Sequence, residues 1–214
     1  MFILYSILIG LAIGLLAGGR PGALADLRFR WPYTIVGGLL AQVVLFSEPV
    51  SARIGDLGPP LYVASTALVL AAILRNRAIV GMPLVALGAA SNLAAIVANG
   101  GFMPADPGAM AALGKVDPTS YSNSAVMADP ALAPLTDLFA LPPWLPFANV
   151  FSVGDVLIGG GVALAIAVAM RRRPGPVRSD NSPQRPTRLG TFSPFGPEPD
   201  GPMIDREGIH PPLA

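Results

Sequence analysis

The chain has 214 residues and a formal net charge of +1; 52% of its residues are hydrophobic, only 13% are charged, and the mean hydropathy is +0.58. A soluble domain carries about twice that charged fraction, so the composition argues against a soluble globule, and the small net charge argues against a nucleic-acid partner. With no cysteine and a single histidine, His210, the sequence excludes disulfides, thiolate catalysis, Fe–S clusters, cysteine-ligated zinc and most histidine chemistry, and no cofactor or metal is expected.

Long runs without charge dominate the chain. A helix crosses the hydrocarbon core with about 20 residues, or as few as ~17, and satisfies its own backbone hydrogen bonds in lipid. Five stretches meet this description: 1–18, 31–47, 58–74, 78–99 and 150–170. The first lacks the positive n-region of a cleaved signal peptide, although Ala23-Leu24-Ala25 imitates a cleavage site. The second is the shortest and contains Gly37, Gly38 and Gln42. The expected fold is all-α, a polytopic membrane helix bundle of about five transmembrane helices. Residues 1–172 form the bundle, including a long outer loop at 100–149. Residues 173–214, rich in Pro and Arg, form a disordered cytoplasmic tail that holds too little apolar surface to offset ordering entropy. His210 lies in that tail, away from any chemistry.

Basic residues set the orientation. Arg20, Arg28 and Arg30 fall between spans one and two, Arg75 and Arg77 between three and four, and Arg171, Arg172, Arg173, Arg178, Arg185, Arg188 and Arg206 after span five. These are twelve of the 14 Lys and Arg residues; only Arg53 and Lys115 fall on the other side. The N-terminus is therefore expected outside and the C-terminus in the cytoplasm, with the chain in a bacterial plasma membrane. The outer segments hold Glu48, Asp56, Asp106, Asp117, Asp129, Asp137 and Asp155.

The outer loop is broken by Pro104, Pro107, Pro118, Pro130, Pro134, Pro142, Pro143 and Pro146. Short helices are expected at 108–113 and 131–139. The apolar run at 141–147 is expected to lie at the outer surface, with Trp144 and Phe147 in the interfacial belt beside Tyr62; Trp31 and Tyr33 would occupy the inner belt. Three registers of small residues at four-residue spacing predict close helix packing: Gly10, Gly14 and Gly18; Ala86, Ala90, Ala94 and Ala98; and Gly161, Ala165 and Ala169. The first is a candidate surface for a membrane-protein partner or an oligomer. The remaining partner is the lipid bilayer itself.

Polar residues in the spans are the candidate functional groups. Gly81, Gly88, Asn92 and Asn99 share one face of span four, where Asn92 is expected to clamp a neighbouring helix. Asn99, Gly100 and Gly101 end that span, as a cap or as the lining of an outer pocket. Span five opens with Ser152-Val153-Gly154-Asp155. An acid there complements the helix N-terminus, and an ionisable group this close to hydrocarbon is a functional candidate. Asp137 precedes it by 18 residues. A folded outer segment would bring the two carboxylates together, and a shared proton would let one act as base and the other as acid. A Ser–Lys arrangement would fall to Lys115. No HExxH, phosphate-binding loop, dinucleotide-binding glycine pattern or internal repeat is present.

The run 99–104, Asn-Gly-Gly-Phe-Met-Pro, together with 151–155, Phe-Ser-Val-Gly-Asp, resembles a bacterial multi-pass membrane family known only as a domain of unknown function. The resemblance covers residues 1–172 and implies an inner-membrane location and no established activity. The second motif is also similar to the opening of the last span of lipoprotein signal peptidase (signal peptidase II), a four-span enzyme, where a Phe-Asn-x-Ala-Asp pattern carries a catalytic aspartate. That resemblance implies a catalytic role for Asp155, with Asp137 as the earlier partner, and 88–92, Gly-Ala-Ala-Ser-Asn, is similar to a Gly-x-x-Gly-Asn stretch of the enzyme. Ser152 stands where the pattern has Asn, and the Asp-Arg pair that follows the third-span motif is missing. Three readings stay open: a structural or accessory membrane protein, an intramembrane aspartyl peptidase, and a small-molecule carrier using Asn92, Asn99 and Asp155.

Overall fold

The computed structural model describes residues 2–114, 124–127 and 129–172; Lys115, His210 and the tail expected at 173–214 lie outside them. Within the described residues the chain is mostly helical, with seven α-helices: α1 (Phe2–Leu16), α2 (Pro32–Leu45), α3 (Glu48–Ile54), α4 (Gly58–Arg75), α5 (Met82–Ala98), α6 (Pro107–Ala112) and α7 (Val153–Met170). Each of the five apolar stretches contains one of the long helices. Two helical runs are long and apolar enough to cross a membrane: Glu48–Arg75, 28 residues with an 18-residue stretch of mean hydropathy 1.8, and Val153–Met170, 18 residues with mean hydropathy 2.1. The first joins α3 and α4 through a 3-10 turn at Gly55–Leu57. The helices α1, α2 and α5 are shorter, at 15, 14 and 17 residues.

Proline sets five of the seven starts. It occupies the first turn of α2, α3, α4, α5 and α6, where its missing N–H has no partner to lose. Gly81, at φ +93°, turns the chain into α5 while its backbone lies against Gly161 and Ala165 of α7. A side chain there would be strained and would have no room.

Closest helix neighbours run in the order α1, α7, α5, α4, α2. Gly88 meets Gly154 and Ile158, and Gly81 meets Gly161, so α5 and α7 are antiparallel. Phe2 and Ser6 approach Gly159, Gly10 approaches Ala163, and Gly14 approaches Met170, so α1 runs parallel to α7. Gly38 meets Val69, Gln42 donates to Ser65 and Thr66 at 3.3 and 3.2 Å, and Phe46 stacks edge-on with Tyr62, so α2 opposes α4. These directions gather Arg20, Arg28, Arg30, Arg75, Arg77, Arg171 and Arg172 at one end of the bundle. Glu48, Asp56, Asp106, Asp129, Asp137 and Asp155 gather at the other. At the basic end the buried Asn76 amide holds the entry to α2 by bonding both the N–H and the carbonyl of Arg30, at 2.7 and 2.8 Å.

Packing departs from expectation in one register. Ala90, Ala94 and Ala98 are exposed, and only Ala86 of that series is buried. The face of α5 that meets α7 carries Gly81, Val85, Gly88 and Asn92 instead, because glycine allows a closer backbone approach than alanine. Gly161, Ala165 and Ala169 are buried as expected. Gly10 and Gly14 pack on α7 of the same chain, whereas Gly18, just past the end of α1, has nothing within 4 Å of where a Cβ would stand.

The segment between α5 and α7, expected as an outer loop, adds short strands to this mostly helical fold. It contains four short strands: β1 (Met103–Ala105) pairs in parallel with β2 (Ser124–Val126), and β3 (Phe139–Ala140) pairs antiparallel with β4 (Val150–Phe151). Of the two short helices expected there, the first is α6. The second is a 3-10 turn at Ala133–Leu135 followed by β3, since Pro134 and the pairing of Phe139 with Phe151 both oppose a continuous helix. Phe151 stacks between Phe2 and Phe139, with ring centroids 4.8 and 5.5 Å apart, and so links this segment to the first turn of α1.

Candidate functional site

Where α7 begins, Ser152 is extended and caps the helix. Its Oγ accepts the Asp155 N–H at 3.0 Å, and the Asp155 Oδ2 accepts the Ser152 N–H at 3.0 Å. This is a reciprocal capping box, which satisfies two otherwise orphaned donors. The facing helix completes it. Asn92 Nδ2 donates to Asp155 Oδ1 at 3.1 Å, and Ser152 Oγ lies 2.9 Å from Asn92 Oδ1 and 3.2 Å from Asp155 Oδ2. A serine hydroxyl has one proton, and the shorter contact makes Asn92 Oδ1 its acceptor. Ser152 is fully buried. Gly154 makes the contact possible: a Cβ at that position would stand 2.7 Å from Asn92 Cγ and closer still to its carbonyl oxygen.

Asp137 reaches the same end of the bundle from the segment between α5 and α7. Its N–H donates to Pro104 at 2.9 Å, its carbonyl accepts from Asp106 at 3.0 Å, and it forms a parallel bridge with Ala105 beside β1. Its carboxylate, 5% exposed, accepts from Ser124 Oγ at 3.2 Å. Burial, and then the charge of Asp155, raise its pKa from the ordinary 3.8 to about 7, against a smaller opposing effect of the Ser124 hydrogen bond. Near pH 7 the Asp137 carboxyl is therefore about half protonated, while both oxygens of Asp155 accept hydrogen bonds.

The remaining candidates lie apart from this cluster. Asn99 donates to the carbonyls of Ala95 and Ala131 at 2.7 and 2.8 Å and accepts the Ala131 N–H at 2.8 Å, pinning the segment between α5 and α7 to the end of α5. Gly101, at φ +90°, lies against Pro59, and its N–H returns to the Ile96 carbonyl at 2.8 Å; Gly100 is exposed. Ser124 escaped sequence reasoning: it is one of several serines in a polar stretch, and its meeting with Asp137 depends on a parallel strand pairing that leaves no local pattern. Among the described residues no three His, Cys, Asp or Glu side chains stand together to hold a metal ion.

The sequence profile of DUF5317, a family of unknown function, matches residues 26–167. The chain belongs to this family. No curated protein and no solved structure matches it. The region shared with DUF5317 begins after α1 and includes Asn92, Ser124, Asp137, Ser152 and Asp155, so the whole polar cluster falls inside it.

The Asp137 shift has a sign in stability. The folded chain holds this proton up to about pH 7, whereas an unfolded aspartate releases it near 3.8. Between those values the native state binds more protons, and stability falls as pH rises. The contribution is fully present below the unfolded value and is lost through pH 7. Chemical denaturation of detergent-solubilised protein at pH 5 and pH 8 is expected to show wild type weaker at pH 8, and Asp137→Asn to remove most of that difference. An unchanged pH dependence in the variant would place the titration elsewhere.

Proposed function

We propose that this DUF5317 member is an integral protein of the bacterial plasma membrane. It crosses the bilayer five times, with its N-terminus outside and its C-terminus in the cytoplasm. It serves a structural or accessory role, presenting a folded outer segment held by the Asn92–Ser152–Asp155 clamp. The observation that carries the reading is the pairing of an apolar lateral surface with oppositely charged ends. Leu8, Leu16, Leu40, Val43 and Leu87 are all more than half exposed, which suits lipid and not water. Seven of the eight described arginines collect at one end, with Arg53 alone at the other, the bias that the positive-inside rule expects of a cytoplasmic face. The shorter helices span roughly 21–26 Å at 1.5 Å per residue, against a hydrocarbon core of about 30 Å. Flanking arginines and the exposed Trp31, Tyr33 and Trp144 would absorb that mismatch at the interfaces.

Because the chain has no cysteine, single-cysteine variants report sidedness directly. Trp144→Cys is expected to react with a membrane-impermeant maleimide on intact cells, and Arg172→Cys only after permeabilisation. The reverse pattern would invert the orientation, and equal labelling at both would remove the spanning arrangement.

A second reading, an aspartyl peptidase acting on a lipid-anchored substrate, is favoured by one observation: the buried Asp137, whose pKa burial and then the charge of Asp155 raise to about 7, reaches the same end of the bundle as that second carboxylate, and a raised carboxyl beside another carboxylate is the pairing such a mechanism uses. The full hydrogen-bond engagement of Asp155 gives the structural role precedence. On that ground, cells lacking the protein are expected to process lipoproteins normally. Accumulation of unprocessed precursor, reversed by wild type but not by Asp137→Asn or Asp155→Asn, would establish the peptidase instead.

A further inference from the structure

At the basic end, the chain leaving α1 folds back onto the end of α7. Gly19 lies against Met170, the Arg20 N–H donates to the Met170 carbonyl at 2.8 Å, and the 3-10 turn Pro21–Asp26 packs on α7. The fold-back leaves a cleft of about 440 Å³ lined by Arg20, Gly22, Ala23, Asp26 and Arg172. The two guanidinium groups come from segments far apart in sequence, and both arginines are exposed. Guanidinium groups match phosphate oxygens in geometry and charge. One turn before Arg20, Leu16 is 89% exposed, with Leu15 beside it at 54%. Two exposed apolar side chains therefore stand on the last turn of α1, a few residues before Arg20.

We propose that this cleft binds the head of an anionic phospholipid, with the phosphodiester between Arg20 and Arg172 and an acyl chain along Leu15 and Leu16. Two arginines and one aspartate leave the cleft a net charge of +1, which one phosphodiester neutralises. Asp26 supplies an acceptor for a hydroxyl on the head, a group that phosphatidylglycerol carries and phosphatidylcholine lacks. Gly22 has nothing within 4 Å of its Cβ position, so the floor is open to a head group. The proposal rests on the membrane-spanning reading, in which this end lies at the inner interface, where basic pockets between helices meet anionic lipid.

The test reconstitutes the full chain in nanodiscs of mixed phosphatidylglycerol and phosphatidylcholine. Native mass spectrometry then scores the lipid retained after release, with and without millimolar inorganic phosphate. Wild type is expected to retain phosphatidylglycerol over phosphatidylcholine. The Arg20→Gln/Arg172→Gln pair is expected to bind it about tenfold more weakly, while Arg28→Gln/Arg77→Gln, at the same end but outside the cleft, retains it as wild type does. Equal loss in both pairs would reduce the effect to general attraction and overturn the site, as would equal retention. Displacement by inorganic phosphate alone would transfer the site from a lipid to a soluble phosphate. Failure of wild type to enter nanodiscs would overturn the spanning reading and this proposal with it, whereas entry without selective retention would overturn this proposal alone.

Discussion

Backbone contact between α5 and α7 is the constraint from which the rest of the structure follows. Gly88 faces Gly154 and Gly81 faces Gly161, so two antiparallel helices touch where any side chain would hold them apart. Under the proposed membrane-spanning reading close approach matters, since lipid tails are as apolar as leucine and helices gain little by hiding from them. It also brings the Asn92 amide within reach of Ser152 and Asp155. A polar group that would be costly in hydrocarbon becomes a cross-link, and the carboxylate that caps α7 is bonded to a second helix. Glycine contact and polar clamp depend on one another: a residue larger than glycine at 154 would remove both.

The other elements are attached to this pair in sequence. α1 lies along α7, α4 along α5, and α2 along α4. Polar contacts mark these attachments too: Gln42 with Ser65 and Thr66 between α2 and α4, Asn76 with the backbone of Arg30, and Asn99 with Ala131. The segment between α5 and α7 is tied on by main-chain pairing beside Asp137, by the stacked rings of Phe2, Phe151 and Phe139, and by the Tyr5 hydroxyl donating to the Pro146 carbonyl. One end of the bundle thus carries a folded cap and most of the acids. The other carries arginines and short turns, and the two ends differ in charge and in what they present to a ligand.

Much of this was legible in the residues. Uncharged runs located the five long helices because hydropathy needs no tertiary information. Asn92 as an interhelix clamp and Asp155 as a first-turn acid followed from the chemistry of an amide in an apolar face and of a helix N-terminus. The alanine register of α5 misled, because spacing identifies a possible ridge but not which of several ridges meets a neighbour. Gly81 and Gly88 allowed closer contact and prevailed. The strands of the outer segment were not legible: two or three residues of pairing carry no period, and β1 finds β2 across a stretch of more than fifteen residues. The cluster around Asp137 inherits that difficulty, since Ser124 and the bridge to Ala105 are long-range contacts with no local signature.

A double-mutant cycle on Asn92 and Asp155 tests the central claim most directly. Unfolding free energies of wild type, Asn92→Ala, Asp155→Ala and the double variant would be measured in one detergent at one pH. If the amide and the carboxylate form a single clamp, removing the second partner costs little once the first is gone, with a coupling of about 1–2 kcal/mol. Two losses that add to within about 0.5 kcal/mol would mean that the helices are held by glycine contact alone and that Asp155 does no more than cap its own helix.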